Sequence, residues 1–153
     1  MEDLNILKRI YPEDQIFVRN PRFSSGLPVL LVECVVPKGM GYTTKPVPYV
    51  TAENYVRILS QASYLLAHNI ITNNIVQTDI SPEDFLRAME DFQLYYRNLA
   101  LTFHERVERG RVFEMELNLR NIRVIRRLQD FIIFTFANKR TVISGEMSFV
   151  FVG

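Results

Sequence analysis

Residues Thr51 to Ile71 form a long glycine-free stretch whose apolar side chains recur at helical spacing. Ala52, Tyr55, Val56, Leu59, Ala62, Leu66 and Ile70 fall on one stripe. Ile58, Leu65 and Ala67 widen that stripe almost all the way round. A helix apolar on nearly every side needs protein on nearly every side. The rest of the chain reads mostly as strand, so the strands are expected to wrap around this one helix.

The helix carries its own start signal. Thr51 is placed to cap it, and Glu53 suits the positive end of its dipole. Asn69, Asn73 and Asn74 mark its end. A second helix opens with the cap Ser81, Pro82 at the first helical position and the acids Glu83 and Asp84, and runs to about Gln93. Ahead of the long helix, Leu4 to Ile10 reads as an amphipathic turn or helix and Gln15 to Arg19 as a short strand. Asn20-Pro21 and Ser24 to Gly26 read as turns. Leu27 to Val36 reads as a strand buried on both faces, and the proline-rich segment Tyr42 to Val50 as a loop.

The remainder predicts about four long antiparallel strands. Phe113, Met115, Leu117 and Leu119 alternate with polar residues. The phase slips near Asn121, which predicts a bulge. Phe131 to Phe136 is solidly apolar, Ala137 to Arg140 reads as a turn, and Val142 to Val152 closes the sheet, with a second bulge at Gly145. The class is α+β. A curled antiparallel sheet around a central helix, with an extra short helix, is the hotdog plan, in one domain over residues 1–153.

Composition removes several functions. The 18 basic and 17 acidic side chains leave a formal charge of +1, so no nucleic-acid partner is expected. Residues Arg120, Arg123, Arg126 and Arg127 form a local basic run, which suits a solvated strand face or contact with an anion such as a nucleotide phosphate. The single cysteine, Cys34, sits in an apolar run and reads as a buried inert thiol. No signal peptide and no membrane span is expected, which predicts a cytoplasmic protein. No cofactor is expected. His68 and His104 stand alone, and neither a phosphate loop nor a nucleophile elbow is present. The 11 phenylalanines and 7 tyrosines indicate a thick core or an apolar ligand channel.

The chemistry left is at the long helix. Its first amides form a positive pocket able to hold an oxyanion. Thr51, Glu53 and Asn54 lie beside that pocket, and Ser60, Gln61 and Tyr64 lie further along. Ser60 and Gln61 interrupt an apolar stretch. That is costly unless they are bonded or face a cavity. Ser60 and Tyr64 are four apart and share a face.

At these residues the chain resembles the FcoT-like long-chain fatty-acyl-CoA thioesterases of the hotdog fold. The likeness runs from Tyr11 to Phe151. It takes in the loop Tyr42 to Tyr49, the helix with Gln61 and Tyr64, the inserted helix after Asp79, the run Leu119 to Arg127, and Ser144 to Glu146. The family's tyrosines match Tyr11, Tyr42 and Tyr64. Its two active-site asparagines fall on Thr51 and Ser60, with Asn54 one turn along. The resemblance implies a homodimer or dimer of dimers, with a pocket at the dimer interface, an acyl chain in an apolar tunnel and pantetheine entering from the surface.

The expected function is hydrolysis of a fatty acyl thioester of coenzyme A or an acyl carrier protein. Thr51, Asn54 or Ser60 would hold the attacking water, with Glu53 the one carboxylate placed to act as a base. Tyr11, Tyr42, Tyr49, Gln61 and Tyr64 would orient the substrate. The alternatives are a non-catalytic acyl-binding protein and a structural homodimer with a filled core. A dehydratase-like enzyme is disfavoured: the loop before the helix lacks histidine, and Arg57 stands where an acid is expected.

Overall fold

The computed structural model describes residues 2–39, 43–126, 131–139 and 142–152. Two 3-10 helices, Glu2–Arg9 and Glu13–Gln15, lead into strands β1 (Val18–Phe23) and β2 (Val29–Cys34). Helix α1 (Ala52–Thr72) and the shorter α2 (Pro82–Glu90) follow. Four strands end the chain: β3 (Leu94–Phe103), β4 (Phe113–Ile125), β5 (Phe131–Lys139) and β6 (Ile143–Val152). Together they make one curled, antiparallel six-stranded sheet in the order β1-β2-β4-β5-β6-β3. The fold is α+β. No described helix is long and apolar enough to cross a membrane.

Both helices start where their capping residues dictate. The Asn54 side-chain carbonyl accepts from the Thr51 backbone N–H at 3.0 Å and from the Thr51 hydroxyl at 2.9 Å. Ser81 Oγ accepts from the Asp84 N–H at 3.1 Å, with Pro82 in the first turn. α1 stops at Asn73, and Asn74 takes a positive φ of 50° that a helix cannot continue through. α2 ends at Glu90, three residues short of the sequence expectation, because Phe92 also turns to positive φ.

The core lies between α1 and the inner face of the sheet. Ile58, Leu59, Ala62, Leu65, Leu66, Ala67 and Ile70 are all buried, so the wide apolar face is used. Ala52, the first residue of α1, is exposed. Phe134, Phe136 and Phe149 stack with centroids 5.0 to 6.3 Å apart. Tyr64 meets Phe149 edge-on at 6.0 Å. These rings fill the core, so the plentiful aromatics serve first as packing.

Several local expectations are corrected. Asn20-Pro21 is no turn: it lies inside β1, at a register break between Arg19 and Arg22. β1 is an edge strand, and an edge with a bulge tolerates proline and the positive φ of Asn20. β2 is buried on alternate residues only, because the helix covers one of its faces. The bulge near Asn121 is present, between Leu119 and Asn121. Pairing continues in regular register through Gly145, so no bulge lies there. A Cβ at Gly145 would stand 2.0 Å from the Ala100 carbonyl oxygen, so that glycine serves close approach of β3. Ala137, Asn138 and Lys139 continue β5 as strand, since their backbones pair with β4 and β6. The expectations placed on Tyr42 and Arg127 lie outside the described residues, as does Arg140.

Candidate functional site

A cluster of hydroxyl groups sits on one face of α1, about midway along it. Ser60 Oγ donates to the Val56 carbonyl at 3.0 Å, the local bond a helical serine commonly makes. The Tyr96 hydroxyl, from β3, donates to the same carbonyl at 3.1 Å and also contacts Ser60 Oγ. The Tyr11 hydroxyl lies close enough to Ser60 to be influenced by it. Tyr64 lies one turn on from Ser60, close enough for Tyr11 and Tyr96 to act on it electrostatically.

Chain geometry sets each member. Tyr11 follows the first 3-10 helix, where its N–H closes a turn on the Leu7 carbonyl at 2.8 Å. Tyr96 pairs with Phe149 and shares the inner phase of Leu94, ahead of a register break between Tyr96 and Asn98. Ser60 and Tyr64 are neighbours by the four-residue spacing of the helix.

All three phenols are held protonated. Burial pushes the Tyr64 hydroxyl well above the usual phenol range. Burial pushes Tyr96 up to about 12, against the opposing effect of its bond to Ser60. Burial also raises Tyr11, partly offset by the Arg57 charge and the Ser60 hydroxyl. The cluster is therefore a set of neutral O–H donors at ordinary pH. Such donors can bind and polarise a carbonyl oxygen.

The other expected residues lie elsewhere. Thr51 and Asn54 are nine and six residues before Ser60, or roughly 14 and 9 Å along the axis at 1.5 Å per residue. The Asn54 oxygen is occupied by Thr51 and by the Arg109 guanidinium at 3.3 Å. Glu53 is exposed in the first turn. Gln61 is fully buried and serves the fold. Its oxygen accepts from the Phe17 N–H at 2.8 Å, and its nitrogen donates to the Gln15 carbonyl at 2.7 Å. Arg57 packs over the Phe17 ring, 5.4 Å from its centroid. Tyr49 makes other contacts: its carbonyl accepts from Arg109 Nε at 3.1 Å, and its ring lies under Arg106 at 4.8 Å. His68 packs near Phe85, and His104 Nε2 bonds Ser144 Oγ at 2.5 Å.

Two features escaped sequence reasoning. Tyr96 carried a weak signal, since alternation from Leu94 puts it on the same side of β3 as that buried residue, although it stays 37% exposed. Arg109, in the charged stretch Glu105 to Arg111, carried none. Of the basic run, Arg120 and Arg123 join Arg97 around a concavity of about 620 Å³ that Glu146 also borders, and Arg127 lies outside the described residues. Cys34 is buried, and burial pushes its thiol far above the ordinary range, as befits an inert core residue.

No protein-family model matches this chain, and no curated protein matches it in sequence.

Proposed function

We propose that this is a hotdog-fold protein that binds a fatty acyl thioester of coenzyme A or an acyl carrier protein and hydrolyses it. The observation that carries the reading is the cluster of Tyr11, Ser60, Tyr64 and Tyr96 hydroxyls on one face of the central helix. It supports the reading in two ways. Tyr11 and Tyr64 match tyrosines of the family resemblance, and Ser60 stands where the family has an asparagine. Its protonated phenols suit an uncharged, polarisable acceptor such as a thioester carbonyl.

In this reading, the hydroxyls hold the carbonyl oxygen and stabilise the charge it gains under attack. Water adds to the carbonyl carbon, the carbon–sulfur bond breaks, the acyl group leaves as a carboxylic acid, and the carrier leaves as a thiol. Ser60 is the best-placed group to orient that water. A second copy completes the pocket along the free edge of β3, an end strand of the sheet.

A non-catalytic acyl-binding protein is the second reading. One observation favours it: Ser60 and Asn54 both spend their oxygens on local bonds, and no carboxylate among the described residues joins the cluster. Turnover and equilibrium binding measured on acyl-CoAs of graded length test both. Turnover that falls in Ser60→Ala supports hydrolysis. Tight binding with the thioester left intact replaces it with the binding reading. Neither binding nor turnover removes both.

A further inference from the structure

Arg109 is the one charged side chain that is buried among the described residues, at 5% exposure. Its guanidinium has neutral partners only. Nε donates to the Tyr49 carbonyl at 3.1 Å and Nη2 to the Asn54 side-chain carbonyl at 3.3 Å. Nη1 is buried with no partner at all. The nearby carboxylates are taken: Glu108 pairs with Arg106 at 3.1 Å, and Glu105 with Arg111 at 2.5 Å.

The position makes this worse for the protein. Asn54 is the third residue of α1, so Arg109 stands at the positive end of the helix dipole. A buried cation beside a second positive potential, with no anion, is strongly unfavourable. Arginine cannot escape by losing its proton.

Arg109 forms part of the wall of a cavity of about 650 Å³. Lys38, which makes no ion pair with a described residue, lies on the same wall. Its side chain runs over Gly110, where a Cβ would meet Lys38 Cε at 3.1 Å. Gly110 has φ of +84°, so the turn itself also requires glycine. The surround is fixed by backbone pairing. Arg109 N–H donates to the Pro48 carbonyl at 2.9 Å, Val50 N–H to Val107 at 2.8 Å, and Gly110 N–H to Val36 at 2.8 Å. Pro46, Val47 and Pro48 give the cavity an apolar side.

We propose that this cavity binds the phosphate group of a small organic molecule. Arg109 and Lys38, neither of them in an ion pair with a described residue, suit a multiply charged oxyanion, and the Glu108 carboxylate on the same wall is neutralised by Arg106. The volume exceeds what a bare ion needs, and the Pro46 to Pro48 wall suits the organic part of the ligand. The proposal is independent of the thioester reading, because no member of the hydroxyl cluster lines this cavity. The phosphate could be carried by a free metabolite or by coenzyme A.

Calorimetric titration with inorganic pyrophosphate, ADP, coenzyme A and pantetheine tests this on the whole chain. The expected result is salt-sensitive binding of pyrophosphate and ADP to the wild type, with Lys38→Glu weakening both by roughly tenfold or more. Lys38 is exposed, so this variant leaves the melting temperature close to wild type. Arg109→Lys, which keeps the charge, is expected to retain binding better than Arg109→Gln. If Arg109→Gln fails to fold, Lys38→Glu still decides. Coenzyme A weakened by Lys38→Glu, with pantetheine indifferent to it, identifies the coenzyme as a phosphate source. ADP and pyrophosphate bound while coenzyme A is not identifies a free phosphate compound. No binding of either pyrophosphate or ADP overturns the proposal, and so does binding that Lys38→Glu leaves unchanged. Thioester turnover is read separately, so loss of one proposal does not remove the other.

Discussion

Tyr96 on β3 and Ser60 on α1 share one acceptor, the Val56 carbonyl, at 3.1 and 3.0 Å, and also contact each other. Each hydroxyl has one proton, so these three contacts cannot all be donated at once. A hydroxyl proton can therefore be redirected to a ligand while Val56 keeps a donor. Tyr96→Phe is expected to lose about 1 kcal/mol of stability, the usual net worth of one hydrogen bond. In a double-mutant cycle with Ser60→Ala, the pair should couple by about 0.5–3 kcal/mol. If the cluster binds a reacting carbonyl, both variants lower kcat on acyl-CoA more than they raise KM, because the donor acts chiefly in the transition state. Wild-type turnover in both would place the site elsewhere.

The sequence made α1 legible because its caps and its apolar face point the same way. Asn54, Asn73 and the buried apolar residues between Tyr55 and Ile71 behave as their residue types require, while the Thr51 hydroxyl donates to the Asn54 side chain. Asn20-Pro21 misled because turn chemistry and edge-strand bulge chemistry use the same residues. The hydroxyl cluster was half legible. Ser60 and Tyr64 share a helix face by spacing, whereas Tyr11 and Tyr96 reach it only through tertiary folding. Arg109 was hidden altogether, since nothing in a charged loop sequence marks the one member that turns inward.

Gln61 is the polar staple that ties the segment before β1 to the helix. Replacing it with Leu leaves the Phe17 N–H and the Gln15 carbonyl without their partners. Each buried orphan costs about 1–3 kcal/mol. A loss of roughly 2–4 kcal/mol should lower Tm by about 5–15 °C in a domain of this size. Calorimetric melting checks it, and an unchanged Tm would mean water or a shifted loop replaces both bonds.

Leu59 faces the sheet at 1% exposure. Leu59→Asp would bury a carboxylate with no cation to meet it, and is expected to abolish soluble folding. Leu59→Ala should fold but lose about 2–5 kcal/mol through the cavity left behind. Denaturant titration distinguishes the two.

Alkaline stability follows from the buried acids. Burial raises Cys34 above its ordinary 9.0 and raises Tyr11, Tyr55, Tyr64 and Tyr96 above 10.0. The folded state thus holds protons that the unfolded chain releases. Stability from these groups is complete below about pH 9 and is lost as pH rises through the folded values, about 12 for Tyr55 and Tyr96. Tm should be level near neutrality and fall steadily above about pH 9. The Tyr55 hydroxyl is buried without a partner, so Tyr55→Phe should be neutral or stabilising and should soften the alkaline fall. Melts across the alkaline range in both proteins test it.

β3 ends the sheet with ten residues and no strand on its outer side among those described, while the opposite edge, β1, is short and broken by Pro21. A long free edge invites pairing with another copy. Tyr95 and Thr102 are exposed on β3, where lysines would oppose such pairing. Light scattering at micromolar concentration is expected to give about 36 kDa, twice 17.9 kDa. Tyr95→Lys combined with Thr102→Lys should shift the population toward 17.9 kDa with little change in helix and sheet content. Because the thioester pocket is proposed to need the second copy, the same variant should lose acyl-CoA turnover in step with the dimer. A wild type that scatters only as 17.9 kDa would remove both the dimer and the shared pocket.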